Sequence, residues 1–236
     1  MIRVLRMRVG DRLILMDRKG LRFQSRIESV RGQEVTVLLE KPAPAPAESP
    51  VKIILCQALL KARAMDFVIE KASEIGVHQI LPFASQRTVV RAGHDQSSAR
   101  IRHWREIAVS ASKQSNRAKP PEVALPCTLS TLVEQWQNER ALKVILWEDE
   151  KAQDLKAILK GWAPLTTVVG IIGPEGGFSV EEVDRVRQGG FLSASLGRRV
   201  LRAETAAITF LAILQYEWGD LSHTSELSDN PALLSP

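Results

Sequence analysis

Arg198, Arg199 and Arg202 stand directly after Gly197, with Glu204 the single carboxylate close by. Guanidinium groups at that density suit phosphate or the edges of bases, and a carboxylate among them can accept a proton or orient its neighbours. The segment reads Ser-Leu-Gly-Arg-Arg-Val-Leu-Arg-Ala-Glu-Thr-Ala-Ala from Ser195 to Ala207. One helix and one strand earlier, Gly173-Pro174-Glu175-Gly176-Gly177 follows the apolar run Thr166 to Ile172. Each segment is a strand end that opens into glycine, where a missing Cβ lets backbone amides approach a ligand. Ligands of open α/β sheets favour such places, beyond the carboxyl ends of strands. Together the two loops suit a site that holds a cofactor and acts on a polyanion. Plainer readings stand beside this one. The first loop is also a tight strand-to-helix turn, and the arginines are also a salt-bridged entry to a buried helix, with Glu204 near the positive end of its dipole. The glycine spacing matches neither the dinucleotide fingerprint nor a P-loop.

The elements that must position these residues alternate strand and helix. Val51 to Leu55, His78 to Phe83, Val144 to Trp147, Thr166 to Ile172 and Leu192 to Leu196 read as strands. Ala62 to Ile75 reads as a helix, with Met65, Val68, Ile69 and Ala72 on one face and Gly76 as its stop. Ala99 to Ser112 is a second helix, with Ile101, Trp104, Ile107, Ala108 and Ala111 inward. Ser179 with Glu182 is a capping-box signature, so a helix starts after the first glycine loop and ends at Gly189-Gly190. Glu204 to Trp218 is the last helix. This alternation predicts a mostly parallel sheet with helices on its faces. Before it, Arg12 to Met16 and Glu34 to Leu39 are β-rich runs, with a turn at Asp17 to Gly20. The Pro/Ala-rich stretch Lys41 to Pro50 reads as a stiff linker. The expected domains are therefore residues 1–46 and 47–222, with 223–236 a Ser-, Pro- and Asn-rich tail that frays.

Charge points to the same kind of partner. Residues 1–50 hold ten Lys/Arg against six Asp/Glu, and residues 84–119 hold eight against two, within a net charge of +5. Basic surplus gathered into two stretches fits nucleic acid, and equally a solvated basic face. Cys56 and Cys127 are too few for a disulfide framework or a Cys-based zinc site, and the four histidines have no ligand spacing, so no metal is expected. Neither a signal peptide nor an apolar run of membrane-spanning length is present, which predicts a cytoplasmic protein without a membrane partner.

The stretches Lys61 to Val77, Gln86 to Thr88, Trp104 to Ala108, Gln114 to Arg117, Ile172 to Gly177 and Leu196 to Ala206 resemble, in order, the RsmE family. That family methylates N3 of a uridine in small-subunit (16S) ribosomal RNA, using S-adenosylmethionine. The resemblance implies a small PUA-like β domain, here partial, followed by a SPOUT-type α/β domain. In the latter a parallel sheet carries helices on both faces and the C-terminal chain forms a trefoil knot. It also implies a homodimer whose partner is 16S rRNA or the small ribosomal subunit. By motif match, Leu146, Gly173, Pro174, Glu175, Gly176, Leu196, Gly197 and Leu201 line the cofactor pocket. Arg6, Arg8, Arg87, Arg117 and Arg199 are expected to face the RNA, and Arg202 and Glu204 to be catalytic. The chain departs from the family in three places. The family has a further strand and a histidine-containing segment before the stretch matched by Ile2 to Asp11. Arg198 stands where proline is common, and Ala203 where threonine is common. Two rival readings remain: a SPOUT methyltransferase for a different RNA, and a non-catalytic RNA-binding protein of ribosome assembly.

Overall fold

A computed structural model describes residues 7–17, 21–32, 34–44, 46–88, 94–164 and 166–221. The chain divides into two compact units, residues 1–47 with 116–119, and residues 48–115 with 120–236. The first is an antiparallel sheet of β1 (Arg12–Met16), β2 (Arg22–Arg31) and β3 (Glu34–Pro42), in that order. Asp17 Oδ1 accepts the Leu21 amide at 2.8 Å, while residues 18–20 of the expected turn lie outside the described residues. β2 is absent from the sequence expectation because its period is broken. Register shifts at Gln24/Ser25 and Ile27/Ser29 interrupt the alternation of facing side chains. β3 also runs on to Pro42, with Lys41 opposite Gln24, into the stretch read as linker.

One polar anchor serves this small sheet in place of a large core. Ile27 is buried, and the guanidinium of Arg22 is buried with it. Arg22 donates from Nη1 to Asn116 Oδ1 (2.9 Å) and from Nη2 to the carbonyls of Asn116 (2.9 Å) and Arg117 (3.1 Å). A planar, permanently charged fork can gather three acceptors in this way. Asn116 takes the left-handed conformation (φ 61°) that turns both carbonyls toward the fork.

The second unit is a seven-stranded parallel sheet. Its elements are β4 (Lys52–Ala58), α1 (Ala62–Glu74), β5 (Gln79–Ala84), α2 (His94–Gln114), β6 (Glu122–Val123), β7 (Cys127–Thr128), α3 (Leu129–Trp136) and β8 (Leu142–Leu146). Then follow α4 (Leu155–Gly161), β9 (Thr167–Ile172), α5 (Val180–Gln188), β10 (Leu192–Ala194) and α6 (Ala203–Glu217). The order is β10-β8-β9-β4-β5-β6, with β7 also beside β5. Side chains alternate between two buried layers, as a strand covered on both faces requires. Ile53, Leu55, Val144, Val168 and Ile172 pack with α1, α2, α4 and α6. Ile54, Cys56, Ile145, Val169 and Ile171 pack with α3 and α5. The expected parallel sheet with helices on both faces is thus the observed architecture.

α2 begins at His94, ahead of the expected Ala99. α3 and α4 are short helices that the periodicity did not single out, each started by a side-chain cap. Thr128 Oγ1 accepts the Thr131 amide (3.1 Å), and Asp154 Oδ1 accepts that of Ala157 (2.7 Å). After β10, at one edge of the sheet, the chain returns to lay α6 against α1, β4 and β9. This return crossing contains the Ser195–Arg202 segment, in the region where the family resemblance implies a knot. Gly170 makes the close approach possible, because a Cβ there would overlap the ring of Phe210 in α6.

Candidate active site

β10, β8, β9 and β4 are consecutive neighbours and all parallel, so their carboxyl ends lie along one edge. The segments leaving those ends enclose a cavity of about 790 Å³. Its walls are Lys61–Ala64 after β4, Leu146–Glu148 at β8, Ile172–Glu175 with Gly177 and Phe178 after β9, and Ser195–Glu204 with Ala206 after β10. The two loops singled out by their glycines are therefore brought together.

The loop after β9 is held at both ends. At its start, fully buried Gln57 donates from Nε2 to the Gly173 carbonyl at 3.3 Å. At its end, Phe178 is buried and stacks on Phe83, with ring centroids 6.4 Å apart. Between them the Glu175 carboxylate accepts the Lys61 amide at 3.2 Å, at the uncapped start of α1. The expected capping box at α5 is complete: the Glu182 amide donates to Ser179 Oγ (3.2 Å) and the Ser179 amide to Glu182 Oε2 (3.0 Å). Glu182 does more than close that box, since its Oε1 also accepts the Gln86 amide at 2.8 Å. This fixes the segment carrying Arg87, whose Nη1 donates to the Gly176 carbonyl at 3.0 Å.

The wall after β8 is fixed by α5. Arg187 pairs with Glu150 Oε2 at 2.7 Å and lies over the Trp147 ring, 5.3 Å from its centroid. Burial pushes the Glu150 carboxyl up, but hydrogen bonds, including those from the Ala152 amide and Arg187, outweigh burial and hold it below the ordinary carboxylate range. Glu148, beside Trp147, is exposed and lines the cavity.

Of the residues expected to hold the cofactor, Leu146, Gly173, Pro174, Glu175, Leu196, Gly197 and Leu201 line the cavity, as do Arg199, Arg202 and Glu204. Gly176 does not line it and instead faces Arg87. Arg8 and Arg117 belong to the other unit, and Arg6 lies outside the described residues. Glu204 sits in the first turn of α6 and Arg202 at its N-cap position. Among the described residues neither makes an ion pair or a side-chain hydrogen bond, so the salt-bridged helix entry is not what is found. Lys61, Arg63, Trp147 and Glu148 were missed by the motif reading. The strand-end rule that found the glycine loops also points to them, since they follow β4 and β8 in the same run.

The cavity suits S-adenosylmethionine on its own chemistry. Leu146, Ile172, Phe178, Leu196 and Leu201 offer an apolar surface for a flat ring, and Glu148 and Glu204 offer acceptors for hydroxyl and ammonium groups. Gly197 has φ 105° and open space where a Cβ would stand, so its backbone borders the cavity unobstructed.

A family model described as an RNA methyltransferase domain matches residues 47–215, and one for an RNA methyltransferase PUA domain matches residues 1–40. The chain is 31% identical over 218 residues to the ribosomal RNA small subunit methyltransferase E of Buchnera aphidicola, covering 92% of this chain and 84% of that one. With the Bacillus subtilis protein of the same name, identity is 27% over 219 residues, covering 92% and 86%. A crystal structure of the Neisseria gonorrhoeae ribosomal RNA small subunit methyltransferase E, bound to S-adenosylmethionine, superposes with a TM-score of 0.81 at 30% identity, covering 94% of this chain and 89% of that one. A Legionella pneumophila protein in complex with the same cofactor gives 0.75 at 36%, covering 92% and 88%. A cavity at the ends of parallel strands, walled by the two glycine loops, thus occurs in a chain that belongs to the ribosomal RNA small subunit methyltransferase E family.

Proposed function

We propose that this chain is an S-adenosylmethionine-dependent methyltransferase acting on N3 of a uridine in small-subunit (16S) ribosomal RNA. The observation that carries the reading is the strand-end cavity, with unobstructed backbone at Gly197 and with arginines at its rim that have no partner among the described residues. Leu146, Gly173, Pro174, Glu175, Leu196, Gly197 and Leu201 hold the cofactor, largely through backbone groups. Gly176 supports that wall through its carbonyl bond to Arg87. Bound there, S-adenosylmethionine supplies an electrophilic methyl group on a positively charged sulfur.

The chain's own residues manage a proton and a charge. Uracil N3 carries hydrogen at neutral pH, and its lone pair is free to attack only as that proton leaves. Glu204, or a water it holds, accepts it. Negative charge then grows on the uracil oxygens, where Arg202 stabilises it from a fixed position. N3 is hidden in paired RNA, so the target base enters unstacked. Arg87 and Arg199 receive the RNA beside the cavity. Residues 1–46, with Arg6 and Arg8 and joined by the segment 116–119 that carries Arg117, serve as a PUA-like RNA-binding domain, and the remainder of residues 47–222 carries catalysis. The enzyme works as a homodimer in the cytoplasm on 16S rRNA or the small subunit.

The test is mass spectrometry of nucleosides from purified 16S rRNA of a deletion strain complemented with wild type or variants. Wild type restores 3-methyluridine, and Glu204→Gln and Arg202→Ala each lower the rate at least 100-fold with cofactor binding intact. Full methylation by both variants refutes the residue assignment. Cofactor binding with unchanged 3-methyluridine on deletion points to a different RNA.

A further inference from the structure

The start of α1, like that of α6 at Arg202, breaks a rule that α3, α4 and α5 in the same chain obey. Those helices begin with Thr128, Asp154 and Ser179, each accepting a backbone amide. α1 begins with Lys61 at its N-cap, makes no side-chain cap bond, has no acidic residue in its first turn and carries Arg63 there. A cation at the positive end of a helix is disfavoured by the helix dipole. Local rules broken at a cavity wall are expected where function overrides helix stability.

The two cationic side chains at this place also stand without a direct partner. Lys61 and Arg63 are exposed, line the cavity, and make no side-chain hydrogen bond or ion pair among the described residues. The carboxylate closest in the hydrogen-bond network, that of Glu175, is engaged by the Lys61 backbone amide. These two cations arrive from the β4 side, whereas Arg198 and Arg199 arrive after β10, at the other end of the four-strand run. Neighbouring strands are about 4.8 Å apart, so the two strand ends are separated by roughly 14 Å. An unstacked nucleotide entering between them carries phosphates on both sides of its base.

We propose that Lys61 and Arg63 form a second RNA-binding wall of the cavity, taking two successive backbone phosphates on one side of the target nucleotide, opposite Arg198 and Arg199. This rests on the methyltransferase reading above. As phosphate contacts they position the strand and read no sequence. Releasing counterions from single-stranded RNA gives a slope of log affinity against log salt of about −0.7 per contacted phosphate.

The test uses the full-length protein, a single-stranded RNA oligonucleotide containing the target uridine, and a salt titration from 50 to 200 mM. Lys61→Gln with Arg63→Gln is expected to flatten the slope by about 1.4 and weaken RNA binding at least tenfold at the lowest salt. Cofactor affinity by calorimetry stays within twofold, and KM for RNA rises. Lys61→Arg with Arg63→Lys restores the slope, which a merely structural role would not do. An unchanged slope overturns the inference, and so does a tenfold loss of cofactor affinity, which would make these residues part of the cofactor site. Failure of the wild-type protein to bind cofactor or methylate RNA would instead defeat the underlying reading, and the two failures are thereby told apart.

Discussion

Gly170 and Phe210 carry the clearest test of how the return crossing holds the site together. Gly170 lies in β9, paired on both sides, with Leu55 across to β4 and Val144 across to β8. The strand cannot shift without disturbing the sheet, and Phe210 is fully buried against it. Adding a methyl group by Gly170→Ala puts a Cβ into the ring, so Phe210 must leave its rotamer or α6 must lift. Overpacking of this kind costs about 1–3 kcal/mol, and two-sided constraint argues for the upper end. Alanine recovers roughly 0.5–1 kcal/mol of backbone entropy relative to glycine, leaving a net loss of about 2 kcal/mol. For a chain of this size that lowers Tm by about 4–8 °C. Because α6 carries Arg202 and Glu204 at its start, methylation falls as well. The decisive measurement is a double-mutant cycle in urea at fixed protein concentration. Phe210→Leu removes ring atoms, so Gly170→Ala in that background should cost less than about 0.5 kcal/mol, giving a coupling near 2 kcal/mol. If Gly170→Ala costs the same in both backgrounds, the ring is not what the glycine accommodates and the argument fails.

Two further perturbations bear on the cavity walls. Gly197→Val introduces a branched side chain at φ 105°, into space bordering the cavity. Calorimetry should show cofactor affinity reduced at least tenfold, with a strain cost of about 1–3 kcal/mol in urea unfolding, and undiminished binding would remove Gly197 from the cofactor site. Arg187→Ala releases Glu150 and uncovers Trp147, loosening the wall that carries Glu148, and should weaken cofactor binding roughly fivefold while leaving the RNA salt slope unchanged. Its stability penalty depends on pH with a definite sign. The folded-state pKa of Glu150 lies below its unfolded value, so the contribution is complete above about 4.3 and is lost as pH falls through the folded value. Wild type and Arg187→Ala should therefore converge in stability in acid and diverge toward neutrality, and a gap that widened in acid would contradict the Glu150 pairing.

The parts of this fold that could be read in advance were those whose cause is local. The face of α1 follows from the spacing of Met65, Val68, Ile69 and Ala72, and all four are buried. The start of α5 follows from Ser179 and Glu182, and both bonds of the capping box are formed. Where two local signals conflict, periodicity is a poor guide. β2 pairs along its length but is bulged twice, so its buried residues Arg22, Ser25 and Ile27 follow no single period. The site divides in the same way. Glycine loops are visible because glycine is required wherever backbone must border a ligand, and that requirement is written in residue type. Lys61 and Glu148 are ordinary surface residues by type and acquire meaning only from strand order, which places β4 and β8 beside β9. Strand order depends on where the chain crosses, and here the crossing rests on the absence of one methyl group at Gly170. In the sequence that glycine is an interruption in an apolar run; its purpose shows only in the ring of Phe210, forty residues later.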